Sequence, residues 1–308
     1  MGRYILRRLS FMLIALWAIV TITFFIMHAI PGDPFLNPRV PEHIRQAMLN
    51  LYGLNKPLWE QYFIYIANLL RGDLGTSLVD LNRTVTSMIA TGFPVSAALG
   101  LEALLFAVTT GLALGIIASL YHNRTWDYVA MIIALIGISV PNFVVATVLQ
   151  YVVSVKWGIL PVSRWGDFQH SILPAFALGL STLALMARMM RTSMLDVLNQ
   201  DYIRTAKSKG LPTGQVIWRH AVRNALLPIV TILGPLVATI VTGTFVIEQI
   251  FGIPGLGSYY VASIYNRDYP LILGTTIFYA VILLLMNFLV DIAYGLIDPR
   301  IRLVRERD

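Results

Sequence analysis

Six stretches of this chain run almost free of charge: 9–30, 95–120, 128–155, 172–190, 225–247 and 271–297. A helix rises about 1.5 Å per residue, and about 20 apolar residues cross the hydrocarbon of a bilayer. The pattern therefore predicts six membrane-spanning helices. The fourth is the weakest, because Arg188 interrupts it near its end; a long arginine side chain can reach the interface from that position. Pro141 falls inside the third stretch and predicts a bend there, with the freed backbone groups satisfied by neighbouring helices.

Two polar segments separate these stretches. In 31–94, Ile44, Met48 and Leu51 share one helical face, and Tyr62, Tyr65, Ile66 and Leu69 share another. Two amphipathic helices are expected, packed on one mouth of the span bundle. In 191–224, Asp201 suits a helix start and Gly210 a helix stop, with Pro212 just beyond. A short basic helix lies between them, with Ile203 and Ala206 on one side. A second helix should begin near Thr213 and lead through Arg219, His220 and Asn224 into the fifth span. So structured a connection between spans reads as a docking surface.

Composition supports the membrane assignment. The chain is 57% hydrophobic and 13% charged, against about 45–50% and about 25% in soluble proteins. Its net charge of +7 could signal nucleic-acid binding, but excess Lys and Arg also hold loops on the cytoplasmic side. With the N-terminus inside, the inner side takes Arg3, Arg7, Arg8, Arg124, the basic residues of 188–223, and Arg300, Arg302, Arg305 and Arg307. That is the greater share, and both termini are expected in the cytoplasm. On the outer side the basic residues are matched by acids, Glu248 among them. Segment 9–30 is longer than the roughly 7–15 residues of a signal-peptide core, so it reads as a retained span. The expected organisation is a tail and first span (1–30), an extracytoplasmic region (31–94), a five-helix core (95–298) containing the inner loop 191–224, and a tail (299–308).

Several chemistries are missing from the chain. Without cysteine there are no disulfides, thiol nucleophiles or cysteine metal sites. His28, His43, His122, His170 and His220 are not at metal-ligand spacing. No G-x-x-x-x-G-K-[ST] run occurs, so any ATP work falls to a partner. Neither H-E-x-x-H nor G-x-S-x-G is present. Gly252, Gly255 and Gly257 follow no strand and read as a tight turn with Pro254. Trp17, Trp126, Trp157 and Trp165 read as interfacial anchors. Two carboxylates lie at membrane depth. Glu102 either lines a polar pathway, or contacts a peptide terminus, or is a buried hydrogen-bonded group; Asp291, near a helix end, reads as a buried hydrogen-bonded carboxylate or one that reaches water at the interface.

The inner loop carries a resemblance. Thr205, Ala206 and Gly210, with Pro228 further on, resemble the cytoplasmic motif of the inner-membrane permeases of ATP-binding-cassette importers. Arg204 stands where that motif usually has an acid, and the glycine-to-proline stretch is longer. The run Asp201-Tyr202-Ile203-Arg204-Thr205-Ala206-Lys207-Ser208-Lys209-Gly210-Leu211, with Arg219-His220-Ala221 and Asn224 to Pro228, is similar to the oligopeptide, dipeptide and nickel branch. Pro31-Gly32-Asp33-Pro34, Gly72 to Ser77, Phe93 to Ser96, Gly252 to Gly257, Asn266 to Tyr269 and Ile297 to Arg300 agree with it. The resemblance covers nearly the whole chain and is nearest the B-type subunit of oligopeptide and dipeptide permeases.

That resemblance implies the six-helix type I importer permease fold in a bacterial inner membrane. It implies a homologous second permease, two cytoplasmic ATPases that bind ATP and Mg, an external peptide-binding protein and a peptide substrate; nickel, metallophores and glutathione are cargoes of the same family. The helix around 202–211 would sit in an ATPase groove by its apolar face and carry nucleotide-driven motion into the spans. The charge run Arg204, Lys207 and Lys209 also reads as a positive-inside anchor or a contact with anionic lipid. An ATPase-independent channel or secondary transporter should instead show more intramembrane charge or paired broken spans. A membrane enzyme should show clustered catalytic residues.

Overall fold

A computed structural model describes residues 2–29, 42–51, 53–242 and 245–297. In chain order the helices are α1 (Gly2–Ala29), α2 (Glu42–Leu51), α3 (Leu58–Leu70), α4 (Val85–Leu120), α5 (Thr125–Ser139) and α6 (Asn142–Leu149), which continues in π-helical turns to Lys156. Then come α7 (Phe168–Leu198), α8 (Asp201–Ser208), α9 (Thr213–Gln215), a π-helical stretch Val216–Val222 and α10 (Arg223–Ala225). The last four are α11 (Leu227–Thr242), α12 (Phe245–Phe251), α13 (Leu256–Asn266) and α14 (Tyr269–Ile297). Among the described residues the sole β pairing is an isolated bridge, Thr76 with Thr84.

By length and composition four helical segments can cross a membrane: Ile5–Ala29, Val85–Leu120, Phe168–Leu198 and Tyr269–Leu289. Counting each bent pair as one span raises the number to six. The third expected span is broken rather than merely kinked. Val140 takes an extended conformation (φ −96°, ψ 124°), as a residue before proline is pushed to do. Helix α5 therefore stops at Ser139, and Pro141 starts α6 at 103° to it. The fifth is entered through a 49° bend between Thr213–Ala225 and Leu227–Val237; its expected end at 247 crosses 243–244, outside the described residues. Helix α4 begins at Val85, not Val95. Its 36 residues span about 54 Å, well beyond about 30 Å of hydrocarbon, so hydropathy saw only part of it.

Contacts divide the chain into two compact units. In one, built from residues up to Pro94 with Gly255–Leu284, α3 packs on α1. Phe24 and Met27 meet Leu78, Tyr269, Ile272 and Leu273 in a buried cluster that Tyr62 and Tyr65 flank. Thr21 and Tyr62 share a hydrogen bond of 2.7 Å, and burial pushes the Tyr65 hydroxyl's pKa upward. The expected helices α2 and α3 form, although the side chains of Ile44, Met48 and Leu51 lie outside the described residues. Two sequence segments that stand far apart also meet. Asp268, buried, accepts hydrogen bonds from Ser77 Oγ and from the Leu78 amide at 3.0 Å.

The other unit, Val95–Pro254 with the chain from Leu285, is organised around α7. Most of α7's side chains from Ser171 to Met194 are buried, and the backbones come very close. A Cβ at Gly111 would lie 2.7 Å from Leu183 O, and one at Gly115 would lie 2.6 Å from Ala187 O. Gly137 of α5 and Gly179 of α7 make equally close approaches, to Leu180 O and Ala103 O. Spans surrounded by apolar lipid gain little from hydrophobic burial, so small residues that let backbones pack closely supply the association. The spacing Gly111-x-x-x-Gly115 was a readable sign of this. Glu248, counted among the outer acids from its place in the sequence, is 0% exposed among Ile247, Phe251 and Ile253, 2.5 Å from Ser96 Oγ. Trp165 likewise packs in part against this cluster rather than anchoring freely, while Trp17, Trp126 and Trp157 are exposed.

Candidate functional site

The short helix expected within 191–224 forms where the sequence puts it. Gln200 is its N-cap, with a carbonyl that accepts the Ile203 amide at 3.1 Å, and Asp201 opens the first turn. A carboxylate there suits the positive end of the helix dipole. At the other end Gly210 adopts φ +77°. The Gly210 amide reaches Lys207 O at 3.0 Å and the Leu211 amide reaches Ala206 O at 3.4 Å. Those two bonds are the Schellman closure of a helix, satisfying carbonyls that would otherwise be orphaned.

Eight residues are too few to hold a helix in isolation, so α8 is held by packing. Ile203 is 0% and Ala206 6% exposed. Both sit in one cluster with Met190 and Met194 of α7, Val216, Ala221 and Val222 of the π-helical stretch, Ala225 of α10 and Ile229 of α11. Leu211, Val197 and Leu198 pack at its edge. This overturns the expectation that the apolar face meets an outside partner. The helix has one apolar stripe, and its own chain uses it.

The outward face is consequently polar. Asp201, Tyr202, Arg204, Thr205, Lys207, Ser208, Lys209 and Gly210 are exposed, Tyr202 at 42%. Arg204 and Asp201 approach to 3.7 Å with both side chains in solvent, a screened pair worth little. Thr205 Oγ1 donates to Asp201 O at 3.0 Å. Of the supporting residues, Asn224 reaches α8: its Nδ2 donates to Tyr202 Oη at 3.2 Å, and to His220 O at 2.8 Å. Arg219 is exposed and His220 half-buried, both on the π-helical stretch, and Pro228 sits in the first turn of α11. Helix α8 shares one buried cluster with the ends of α7 and α11 and the residues between them.

Glu102 stands apart from this cluster, on α4. Its Oε2 is buried and has no hydrogen-bond partner among the described residues, so the hydrogen-bonded alternative finds no support there. Asp291 lies on α14, with its side chain outside the described residues. No group of His, Asp and Glu able to hold a metal occurs among the described residues.

Gly210→Val is expected to weaken α8 through backbone conformation alone. A Cβ at Gly210 meets nothing within 4 Å, so no clash contributes, and the left-handed φ costs a β-branched residue on the order of 1–3 kcal/mol. Gly210→Asn should recover much of the loss, because asparagine tolerates that region. Transport and thermal stability measured side by side check it; equal behaviour of the two variants would contradict the conformational cause.

Comparison with known proteins adds the following. Residues 111–303 match the family described as binding-protein-dependent transport system inner membrane component, and residues 1–100 match its N-terminal counterpart. The chain is 48% identical over 304 residues to the dipeptide transport system permease protein DppB of Bacillus subtilis, covering 98% of this chain and 99% of that protein. It is 42% identical over 305 residues to the oligopeptide transport system permease protein OppB of Haemophilus influenzae, covering 98% and 100%. Among solved structures, a chain of the MetNI methionine ABC transporter in inward-facing conformations aligns with TM-score 0.55 at 17% identity, over 72% of this chain and 96% of that one. An amino acid ABC transporter with histidines aligns with TM-score 0.54 at 18% identity, over 67% and 92%.

Proposed function

The chain belongs to the inner membrane components of binding-protein-dependent transport systems, and from that membership we propose that it is the permease subunit of an ATP-driven importer of dipeptides or oligopeptides. The all-helical permease fold expected from the sequence is the fold of the solved transporter chains. The observation that carries the mechanism is α8, a short capped helix fixed by its own apolar stripe to α7 and α11 with its polar face turned out.

In this reading the exposed face, Tyr202, Arg204, Thr205, Lys207 and Ser208, receives a partner ATPase. The chain has no P-loop of its own, so ATP and Mg are bound by two such subunits. Displacement of α8 moves α7 and α11 with it, because a packed cluster shifts between discrete arrangements rather than deforming. A second permease completes the path, an external binding protein delivers the peptide, and Glu102 faces that path. The termini and α8 lie in the cytoplasm, the charge distribution supporting this side. Broken spans are also a mark of secondary transporters; family membership favours the ATP-driven reading.

The test is reconstitution. Alone in proteoliposomes the chain should neither hydrolyse ATP nor accumulate peptide. With its second permease, ATPases and binding protein it should do both, and a Ser208→Cys variant should label only from the ATPase side. Proton-driven peptide uptake by the isolated chain would overturn the proposal.

A further inference from the structure

The structure assigns Asp127 and Arg191 to a clamp that passes the movement of α8 into the broken third span; this rests on the importer reading above. Asp127 lies in the first turn of α5 and Arg191 on α7, two turns before that helix ends at Leu198. Arg191 Nε donates to Asp127 Oδ1 at 2.6 Å and Nη2 donates to Oδ2 at 2.8 Å. The Asn123 amide adds a third bond to Oδ2 at 2.9 Å, and His122 Nδ1 stands 3.3 Å from the same oxygen and 3.2 Å from Arg191 Nη2. The aspartate side chain is 3% exposed and the arginine 23%.

Three things make this more than a surface ion pair. The contact is a two-pronged fork, which fixes orientation as well as distance. Its aspartate is shielded from water, so salt loosens it less than it would a fully exposed pair. It also sits at a junction of elements: a Cβ at Gly115 of α4 would lie 3.0 Å from the Arg191 amide, and Met190 and Met194, its neighbours along α7, pack in the cluster that holds α8. Helix α5 then breaks at Val140 and turns by 103° into α6. A push on α8 thus reaches α7 through packing, and the clamp couples α7 to the near arm of that break. Elsewhere between α5 and α7 a Cβ at Gly137 would lie 2.8 Å from Leu180 O, a close packing contact that has no fork to fix orientation.

The test uses the assembled complex in proteoliposomes and reads peptide transported per ATP hydrolysed. Asp127→Asn and Arg191→Gln should assemble with the ATPases and hydrolyse ATP within about twofold of the parent rate, while transport per ATP falls tenfold or more. Arg191→Lys, keeping the charge and losing the fork, should fall between. Because the chain has no cysteine, Asp127→Cys with Arg191→Cys can be joined by a short bifunctional thiol reagent. Joining should restore transport per ATP, and the unjoined pair should stay uncoupled. Unchanged transport per ATP in Asp127→Asn and Arg191→Gln overturns the clamp. So does loss of assembly in every variant with no rescue by joining, which would make the pair a folding element. A parent complex that fails to move peptide overturns the importer reading instead.

Discussion

Gly115→Leu is expected to prevent accumulation of folded protein. The first added carbon would stand 2.6 Å from Ala187 O, 2.6 Å from Met190 Cβ and 3.0 Å from the Arg191 amide. Two of these neighbours are α7 backbone, which cannot swing aside, so α4 and α7 must part. Inserting carbons into a packed core costs about 1–3 kcal/mol, occasionally more. Four added carbons against a backbone belong at or beyond the upper end, a large fraction of the 5–15 kcal/mol that typically stabilises a folded protein. Gly214→Ala is the control, since a Cβ there meets nothing within 4 Å. Monodisperse yield in detergent and the unfolding midpoint check the pair. Wild-type yield of Gly115→Leu would refute the close α4–α7 approach.

Ala206→Asp should do most of its damage inside this chain. Ala206 is buried in the cluster formed by α7, α8, the π-helical stretch and α11, where the nearest residues are methionine, valine and isoleucine. A carboxylate placed there without a partner costs several kcal/mol, through desolvation or protonation. That exceeds what Ile203 alone can hold, so α8 should detach from its seat. Transport is expected to fall to background, with a measurable loss of thermal stability. Lys207→Gln changes an exposed side chain and should alter stability by less than about 0.5 kcal/mol. Were Ala206→Asp to leave the unfolding midpoint unchanged while abolishing transport, the apolar face would be meeting an ATPase after all.

Much of the fold was legible because helices are specified locally. Hydrophobic runs gave the spans, and Gly210 with Pro212 gave the end of α8, since each depends only on neighbours a few residues away. Pro141 marked the break for the same reason, and the absent P-loop and absent cysteine are statements about composition. What local pattern cannot state is which face of a helix meets what. A stripe at Ile203 and Ala206 looks the same whether it faces a partner or its own bundle. In α4 the difficulty is greater, because lipid and protein interior are both apolar and the periodicity that would separate them is erased.

Charges posed the same problem from the other side. Glu248 looks like any loop acid until Ser96, far away in sequence, is brought beside it. Asp127 and Arg191 are ordinary interfacial charges in the sequence and become a fork only when α5 and α7 are laid together. The chain by itself fixed how many apolar segments there are and where α5 and α8 stop. Only the tertiary structure decided that α8 is seated on its own chain and presents its polar face, because pairing between distant segments depends on shapes that no short stretch of sequence contains.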